Sequence, residues 1–267
     1  MSIIKPYSKE DDINIYIENL TQEQKAEDEF FKSSDSESAS SELYKSLMLK
    51  IQYLFFFDDI LQKYNISFNG NLLELGGGYG YLSTYIKKKF PDLTVIYSDV
   101  SKEAVKKSKQ YEDFFKITID EKWVISAEDI PFSDNMFENI LFFASFHHVQ
   151  QPKTAVQECV RILKPNGRLF LLLEPSCPTY LKPLYDLHVK REKVKENYYS
   201  IREYRSFFKN AGLTFRYYNY KNYLYRRSKK TLLYYLFLNM IPNFITNIFP
   251  CNQVIIGEKK PTSPGIS

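Results

Sequence analysis

A cluster of glycines constrains this chain more than any other feature of its sequence. Four of the nine glycines, Gly76, Gly77, Gly78 and Gly80, lie within five positions of the stretch LLELGGGYG. Glycine costs backbone entropy inside a regular element, and it is useful where the chain turns sharply or a ligand approaches the main chain. The leucines before the cluster predict a short buried strand, and residues 81–89 predict a helix. A strand, a glycine turn and a helix together outline a nucleotide-binding loop.

The spacing of the glycines narrows the kind of nucleotide. A dinucleotide fingerprint needs G-x-G-x-x-G, but counting from Gly76 and Gly78 the third glycine position holds Tyr81. The loop also lacks the Gly-Lys-Ser/Thr ending of a phosphate-binding P-loop. It reads instead E-x-G-x-G-x-G, beginning at Glu74. A carboxylate at Glu74 would repel a pyrophosphate but can hold an ammonium, directly or through water. The predicted ligand is therefore a nucleoside that carries an amino acid.

Strand and helix patterns alternate along the middle of the chain. This alternation predicts a parallel sheet with helices on both faces. The predicted strands cover residues 71–76, 93–99, 122–126, 138–144 and 167–174, followed by the strands TFRYYNY and QVIIGEK near the end. The predicted helices cover residues 11–31, 43–64, 79–89, 102–110, 152–163 and 201–210. The sequence KPNG at 164–167 predicts a helix stop and a turn into the next strand.

Five motifs in order resemble the class I methyltransferases that use S-adenosylmethionine. They are LLELGGGYG, VIYSDVS with Asp99 at the strand end, SAEDIPF, FENILFFASFHHV and RILKPNGRLFLLLEP. The resemblance runs from about Leu72 to Pro175. It implies an α/β fold with a doubly wound, Rossmann-like sheet of seven strands, the last antiparallel. A mobile or helical N-terminal cap at 1–41, in which the serine-rich run SSDSESASSE predicts a mobile loop, precedes a methyltransferase domain at 42–267. Insertions at 175–200 and 222–250 are predicted to cover the substrate or to form an interface.

The resemblance also assigns cofactor contacts by position. It implies that Asp99 accepts both ribose hydroxyls, and that either Asp129 or Glu128 accepts from the adenine amino group. The residues expected to bind S-adenosylmethionine are Glu74, Gly76, Gly77, Gly78, Gly80, Asp99, Val100, Ala127, Glu128, Asp129 and Ala144.

Two of the three histidines of the chain are adjacent, where the resemblance places the reacting end of the cofactor. A histidine that titrates near neutrality is a suitable base if the methyl acceptor is a hydroxyl. His147 is the first candidate for the base and His148 the second, and Glu174 is expected to orient the histidine or stabilise its charge. Metal-ligand spacing is absent from these residues, so we do not expect a metal from the sequence.

The acceptor is less constrained than the cofactor. The fourth strand ends in ASFHHV, without the Asn/Asp/Ser-Pro-Pro-aromatic tetrad of enzymes that methylate DNA amino groups, and a net charge of +4 without a dense basic stripe disfavours nucleic acid. We expect a small-molecule acceptor. A looser similarity to bacterial surface-glycan and natural-product methyltransferases favours O-methylation of a sugar or phosphorylated metabolite. Basic side chains that could meet a phosphate are Lys182, Lys190, Arg191, Arg202 and Arg205.

Location and partners follow from weaker signals. The three cysteines are far apart and form neither a disulfide framework nor a CxxC pair, and the N-terminus lacks an apolar signal core, so a cytoplasmic location is expected. The aromatic segment at 226–249 suggests a lid, a homodimer face or a weak membrane-surface contact, led in by RRSKK.

Two rival functions remain open at this point. One is an NAD-dependent oxidoreductase, which the glycine spacing and SAEDIPF disfavour. The other is a catalytically inactive protein of methyltransferase fold that acts as a binding partner. A binding test with S-adenosylmethionine and with NADH would distinguish the oxidoreductase from a methyltransferase. A turnover assay would distinguish the inactive protein from an active enzyme.

Overall fold

A computed structural model describes residues 8–17, 20–32, 39–189, 196–224 and 228–261 of the chain. For residues 39–46, 49 and 186–189 it describes the backbone alone. Residues 33–38 of the serine-rich run in the N-terminal cap, predicted as a mobile loop, lie outside these ranges, and its remainder belongs to a helix that begins at Ala39.

The described strands form a single mixed sheet. They are β1 (Ser8–Glu10), β2 (Ile13–Ile15), β3 (Asn71–Glu74), β4 (Thr94–Asp99), β5 (Glu121–Val124), β6 (Phe137–Phe143), β7 (Leu163–Ser176), β8 (Arg216–Tyr220) and β9 (Cys251–Glu258). Their spatial order is β1-β2-β5-β4-β3-β6-β7-β9-β8. Strands β2 to β7 pair in parallel with their neighbours, and β9 is antiparallel to both β7 and β8. The predicted doubly wound sheet and its antiparallel last strand are confirmed.

The prediction of seven strands is wrong, because the N-terminal segment adds two. Strand β2 pairs in parallel with the edge strand β5, and β1 returns antiparallel to it through a turn in which Asp11 has a φ of 52°. Ile13 and Ile15 are buried while Asn14 between them is half-buried, so the period of two suits a strand rather than the predicted helix over 11–31. That helix begins later.

The helices cover both faces of the sheet. They are α1 (Gln22–Lys32), α2 (Ala39–Lys63), α3 (Tyr81–Lys89), α4 (Lys102–Phe115), α5 (Pro152–Ile162), α6 (Lys182–Val189), α7 (Ile201–Asn210), α8 (Lys229–Met240) and α9 (Asn243–Thr246), with 3₁₀ turns at Phe146–His148 and Thr179–Leu181. One face buries Phe57 of α2 with Leu72 and Phe170. The other face buries Trp123 and Phe137 with residues of α5 and α7. Within the described part of the chain, no helix combines the length and apolar character needed to cross a membrane.

The predicted turn at KPNG is present as an irregularity inside β7. Phe137 pairs with Leu163, and the next pair joins Asn139 to Arg168. The extra residues on β7 include Asn166, whose φ is 65°. A bulge of this kind lets a strand continue through an interruption in its pairing. The far end of β7 therefore still lies at the carboxyl edge of the sheet.

The carboxyl ends of the parallel strands place the predicted site residues at one edge of the sheet. Glu74 ends β3, Asp99 ends β4, and Ala144 follows β6. The segment between β8 and β9, which carries α8 and α9, returns at this same edge, since Cys251 pairs with Ser176 at the end of β7. Open α/β sheets bind ligands at this edge.

Candidate active site

The glycine loop joins β3 to α3 and needs glycine for two different reasons. Gly76, Gly78 and Gly80 have φ values of 66°, 57° and 70°, a region that side chains with a Cβ disfavour. At Gly77 the reason is space, since a Cβ there would lie 2.7 Å from the Tyr97 ring. The Gly77 amide donates to the Ser98 carbonyl at 3.0 Å, and the Tyr97 hydroxyl donates to the Gly78 carbonyl. The loop is therefore held open against β4.

Glu74 is a buried carboxylate at the base of this loop. Its side chain is 2% exposed and accepts a hydrogen bond from the Ser83 hydroxyl. Burial raises the pKa of Glu74 to about 7, with a smaller contribution from the charge of Asp99. Among the described residues it forms no ion pair with a lysine or arginine. A buried carboxylate without a cation is costly, and an ammonium group of a ligand would supply the missing charge.

Asp99 links the end of β4 to both adjoining loops. Its Oδ2 accepts from the Gly78 amide at 2.8 Å and its Oδ1 accepts from the Ser101 amide at 2.8 Å. Burial raises the pKa of Asp99 to about 6, against the lowering effect of the bonds from Ser101, Gly78 and Val100. The carboxylate is thus aimed at the glycine loop, as the sequence motif requires.

The two acids proposed for adenine differ in what they contact. Glu128 accepts from the amides of Gln150 and Gln151 at 3.0 and 3.2 Å and from the Ser126 hydroxyl. It therefore joins the loop after β5 to the start of α5. Asp129 is exposed, and the neighbouring Ala127 is half-buried against the core. Of the two carboxylates, Asp129 is the one that is not engaged in these backbone contacts.

Helix α1, part of the predicted N-terminal cap, closes this side of the site and brings acidic side chains that the sequence did not single out. Asp28 accepts from the Ser101 hydroxyl at 2.7 Å, and the Phe31 ring packs edge-on against Tyr79 at 4.9 Å between centroids. Glu27 of this helix lies near two other carboxylates. Its burial, together with the charges of Asp99 and Glu128, raises the pKa of Glu27 to about 8. Helix α1 thus adds a third carboxylate to the place where the motifs predict the nucleoside.

The histidine pair lies on the 3₁₀ turn after β6, and Glu174 holds that turn. The fully buried Glu174 accepts from the amides of Ser145, Phe146 and His147 at 2.8, 2.9 and 3.2 Å. Its Oε2 also lies 2.9 Å from Nδ1 of His147. Ala144, just before the turn, has a φ of 51°. Glu174 therefore sets the orientation of His147, whose Nε2 is the ring nitrogen directed away from this carboxylate.

A segment beyond α6 supports the histidine turn from the other side. The Asn197 amide donates to the His147 carbonyl at 2.8 Å, and its side chain donates to the carbonyls of His147 and Val149 at 3.1 and 3.2 Å. Nothing in the local sequence around Asn197 marks this role. Only the chain path after α6 brings it here.

The basic residues expected to meet a phosphate do not gather at the histidines. Lys182 forms an ion pair with Glu203, and its Nζ lies 6.0 Å from the centre of the Tyr199 ring. Arg202 and Arg205 are exposed on α7, with Arg205 over the Phe215 ring. Lys190 and Arg191 lie outside the described residues. The described members thus have other contacts or face solvent.

Comparison with known proteins agrees with this geometry. Residues 73–171 match the family model of the methyltransferase domain. That span begins in the glycine strand and ends in β7, so it contains the loop, Asp99 and the histidine turn. This part of the chain is therefore similar to methyltransferase domains. The rival assignment to the NAD-dependent oxidoreductases is not favoured.

Similar proteins methylate quinol rings. The chain is 27% identical over 126 residues to the mitochondrial 2-methoxy-6-polyprenyl-1,4-benzoquinol methylase of Caenorhabditis elegans, covering 46% of this chain and 44% of the relative. It is 30% identical over 113 residues to the ubiquinone/menaquinone biosynthesis C-methyltransferase of Rickettsia prowazekii, covering 40% and 45%. The matches thus span less than half of each relative. The expected similarity to surface-glycan enzymes is not confirmed.

A solved structure gives the fold and a cofactor product. The phosphoethanolamine N-methyltransferase 2 of Haemonchus contortus, in complex with S-adenosylhomocysteine, superimposes with a TM-score of 0.62 at 14% identity, over 91% of this chain and 61% of the other. The ligand that the motifs of this chain predict is S-adenosylmethionine. The residues present fit this ligand. The loop leaves room beside Gly78, where a Cβ would meet only Phe31 at 4.0 Å. The buried carboxylate of Glu74, which forms no ion pair among the described residues, can bind the ammonium group.

Proposed function

We propose that this chain is an S-adenosylmethionine-dependent methyltransferase that transfers a methyl group to a hydroxylated aromatic ring of the quinol type, at a ring carbon or a ring oxygen. The observation that carries this proposal is the similarity, over 126 and 113 residues, to two relatives named for methylation of quinols and quinones. A sugar or phosphorylated acceptor has less support, because the described basic residues have other contacts or face solvent.

S-adenosylmethionine, when bound, supplies an electrophilic methyl group, and the carbon–sulfur bond breaks with its electron pair remaining on sulfur. Glu74 would hold the ammonium, Asp99 the ribose hydroxyls, and Asp129, with Ala127 beside it, the adenine. Gly76, Gly77, Gly78 and Gly80 would let the main chain approach the ligand. Val100 and Ala144 would line the space at the strand ends.

His147 would take the proton of the acceptor hydroxyl on Nε2. Glu174, 2.9 Å from Nδ1, would stabilise the imidazolium that forms. Loss of that proton places negative charge on the oxygen and, by resonance, on the ring carbons beside it, so either atom becomes the nucleophile. If carbon attacks, the methylated ring carbon then loses its proton to water, the ring becomes aromatic again, and the imidazolium of His147 returns its proton to the ring oxygen. General-base assistance of this kind contributes about 10²–10⁴-fold.

The segment that carries α8 and α9, at the carboxyl edge of the sheet, favours an apolar acceptor. Leu233, Phe237 and Met240 of α8 are 66%, 42% and 83% exposed, and Phe244 of α9 is 76% exposed. Large exposed apolar groups clustered on one segment commonly mark a binding surface. We propose that this insertion accepts the apolar tail of a prenylated ring, near the surface of a membrane or within a homodimer.

The test is an acceptor panel with S-adenosylmethionine, read as S-adenosylhomocysteine formed and product mass. We expect turnover with a short-chain prenyl benzoquinol and none with nucleotide sugars. His147→Ala should lower turnover by about 10²–10⁴-fold while leaving S-adenosylhomocysteine affinity unchanged, with His188→Ala as the control histidine. Methylation of sugars alone would overturn the acceptor. Cofactor binding without turnover on any acceptor would favour the inactive binding partner.

A further inference from the structure

Folding brings a carboxylate to the histidine pair. His147, His148 and Glu196 each present one ligand atom, and these three atoms lie within 4.8 Å of one another. Glu196 is 48 residues beyond His148 in the sequence, so the spacing of residues gave no sign of this cluster. Metal–ligand bonds of about 2.0–2.2 Å put the donor atoms of one ion about 3–4 Å apart. The three side chains are half-buried, and their donor atoms lie within about 1–2 Å of that spacing.

His147 is already oriented as metal-binding histidines are. Its Nδ1 faces Glu174 at 2.9 Å, and Glu174 is itself fixed by three backbone amides. A ligating histidine commonly donates its second ring nitrogen to a carboxylate, which sets the tautomer and makes the ligating nitrogen more basic. Nε2 of His147 is therefore prepared to bind a cation.

Hydrogen bonds of the neighbouring residue hold the backbone of Glu196 next to the histidines. The following residue, Asn197, makes three hydrogen bonds to the carbonyls of His147 and Val149. The Glu196 carboxylate accepts from the Tyr198 hydroxyl, which restricts its orientation. The third ligand is thus anchored to the same turn that carries the first two.

We propose that His147, His148 and Glu196 form a binding site for one divalent transition-metal ion. Two imidazoles and one carboxylate suit Zn²⁺, Co²⁺, Ni²⁺ or Fe²⁺, whereas Mg²⁺ and Ca²⁺ prefer oxygen ligands alone. The three cysteines of the chain are buried and belong to other parts of the core. Three protein ligands leave coordination positions open toward water or an acceptor hydroxyl.

The ion changes what His147 can do, and this consequence rests on the proposed function. A nitrogen bound to metal cannot accept a proton. The metal-loaded enzyme therefore lacks the base proposed above, and we expect Zn²⁺ to inhibit turnover in competition with the acceptor. Cofactor binding, which depends on the glycine loop and Asp99, should not change.

The experiment is a titration of the full chain with Co²⁺, followed by its visible absorption, with Zn²⁺ as competitor and Mg²⁺ as the negative control. We expect one Co²⁺ per chain. Loss of a group that hydrogen-bonds to a metal ligand lowers metal affinity by about 10–100-fold. His148→Ala and Glu196→Gln each remove a ligand itself, so each should weaken Co²⁺ binding by more than that. His188→Ala, which alters the one histidine outside the cluster, is the matched control and should bind normally.

Metal binding is read without turnover, so its failure is distinct from failure of the proposed function. S-adenosylhomocysteine affinity reports whether each variant is folded. Folded Glu196→Gln and His148→Ala proteins that bind Co²⁺ like the unaltered chain would overturn the site, as would equal loss in His188→Ala. Stimulation of turnover by Zn²⁺ would overturn the inhibitory role.

Discussion

The cofactor half and the acceptor half of this site are built in different ways. In the cofactor half, the bonds that organise Glu74, Gly78 and Asp99 join residues 2 to 24 positions apart. In the acceptor half, the bonds that position His147 come from Glu174 and Asn197, at separations of 27 to 50. Glu74 and Asp99 are nearly fully buried, whereas the histidines and Glu196 are half-buried. Short-range bonds leave a readable motif, and long-range bonds do not.

Substitutions in the two halves should impair different properties, cofactor affinity in one half and turnover in the other. The loss of cofactor affinity is the largest effect that we expect. Asp99→Ala removes the acceptor of the Gly78 and Ser101 amides together with the proposed ribose contact. Charge-assisted hydrogen bonds contribute about 1.5–3 kcal/mol each, so S-adenosylhomocysteine affinity should fall by about 10²-fold or more in calorimetry. Asp113→Ala, an exposed carboxylate on α4, serves as the control.

The matching change in the acceptor half is Asn197→Ala. It removes the side-chain bonds to the carbonyls of His147 and Val149 without touching the cofactor loop. Turnover should fall, while S-adenosylhomocysteine affinity stays within about twofold, since a contribution near 1 kcal/mol per bond acts on the turn alone. A large loss of cofactor affinity in this variant would mean that the two halves are not independent.

Two glycines sharpen the comparison within the cofactor half. Alanine at either glycine strains a positive φ, but at Gly80 its Cβ would also lie 2.8 Å from Ser108, whereas at Gly78 it would meet only Phe31, at 4.0 Å. We expect Gly80→Ala to lower the free energy of unfolding by about 1–3 kcal/mol. Gly78→Ala should lower it by less and weaken cofactor binding instead. Thermal unfolding with and without S-adenosylhomocysteine separates the two; equal effects would contradict the assigned geometry.

The smallest expected effect is the pH dependence of the cofactor half. The pKa of Glu74 is raised by burial from 4.5 to about 7. The folded ligand-free protein therefore holds this proton more tightly than the unfolded chain. Its contribution to stability is fully present below pH 4.5 and is lost as the pH rises toward 7. An ammonium ligand prefers the ionised carboxylate, so S-adenosylhomocysteine affinity should rise about tenfold from pH 6 to 8.

Glu74→Gln is the control for this profile. The amide keeps the size of the side chain and a hydrogen bond to Ser83 but cannot ionise, so affinity should be lower and much flatter with pH. A variant that retains the full slope would assign the titration to Asp99 or Glu27 instead, whose pKa values are about 6 and 8.

The fold was predictable where pattern and burial agree. The strands from Asn71 to Ser176 repeat a buried-strand and amphipathic-helix pattern, and all five lie where alternation predicts them, with bounds that differ by a few residues. The N-terminal segment was not predictable in the same way. Residues 13–15 are too few for a clear period, and they become a strand because β5 offers an unpaired edge.

The sequence by itself determined the cofactor class, because the spacing of Gly76, Gly78 and Gly80 and the acids at Glu74 and Asp99 belong to local turns with strict backbone needs. Only the tertiary structure decided what surrounds the histidines. Glu174 was expected from its motif, whereas Asn197 and Glu196 reach that turn only through the path of the chain after α6, and Glu27 reaches Asp99 through the docking of α1. Such contacts depend on packing between distant segments, which no local pattern of residues encodes.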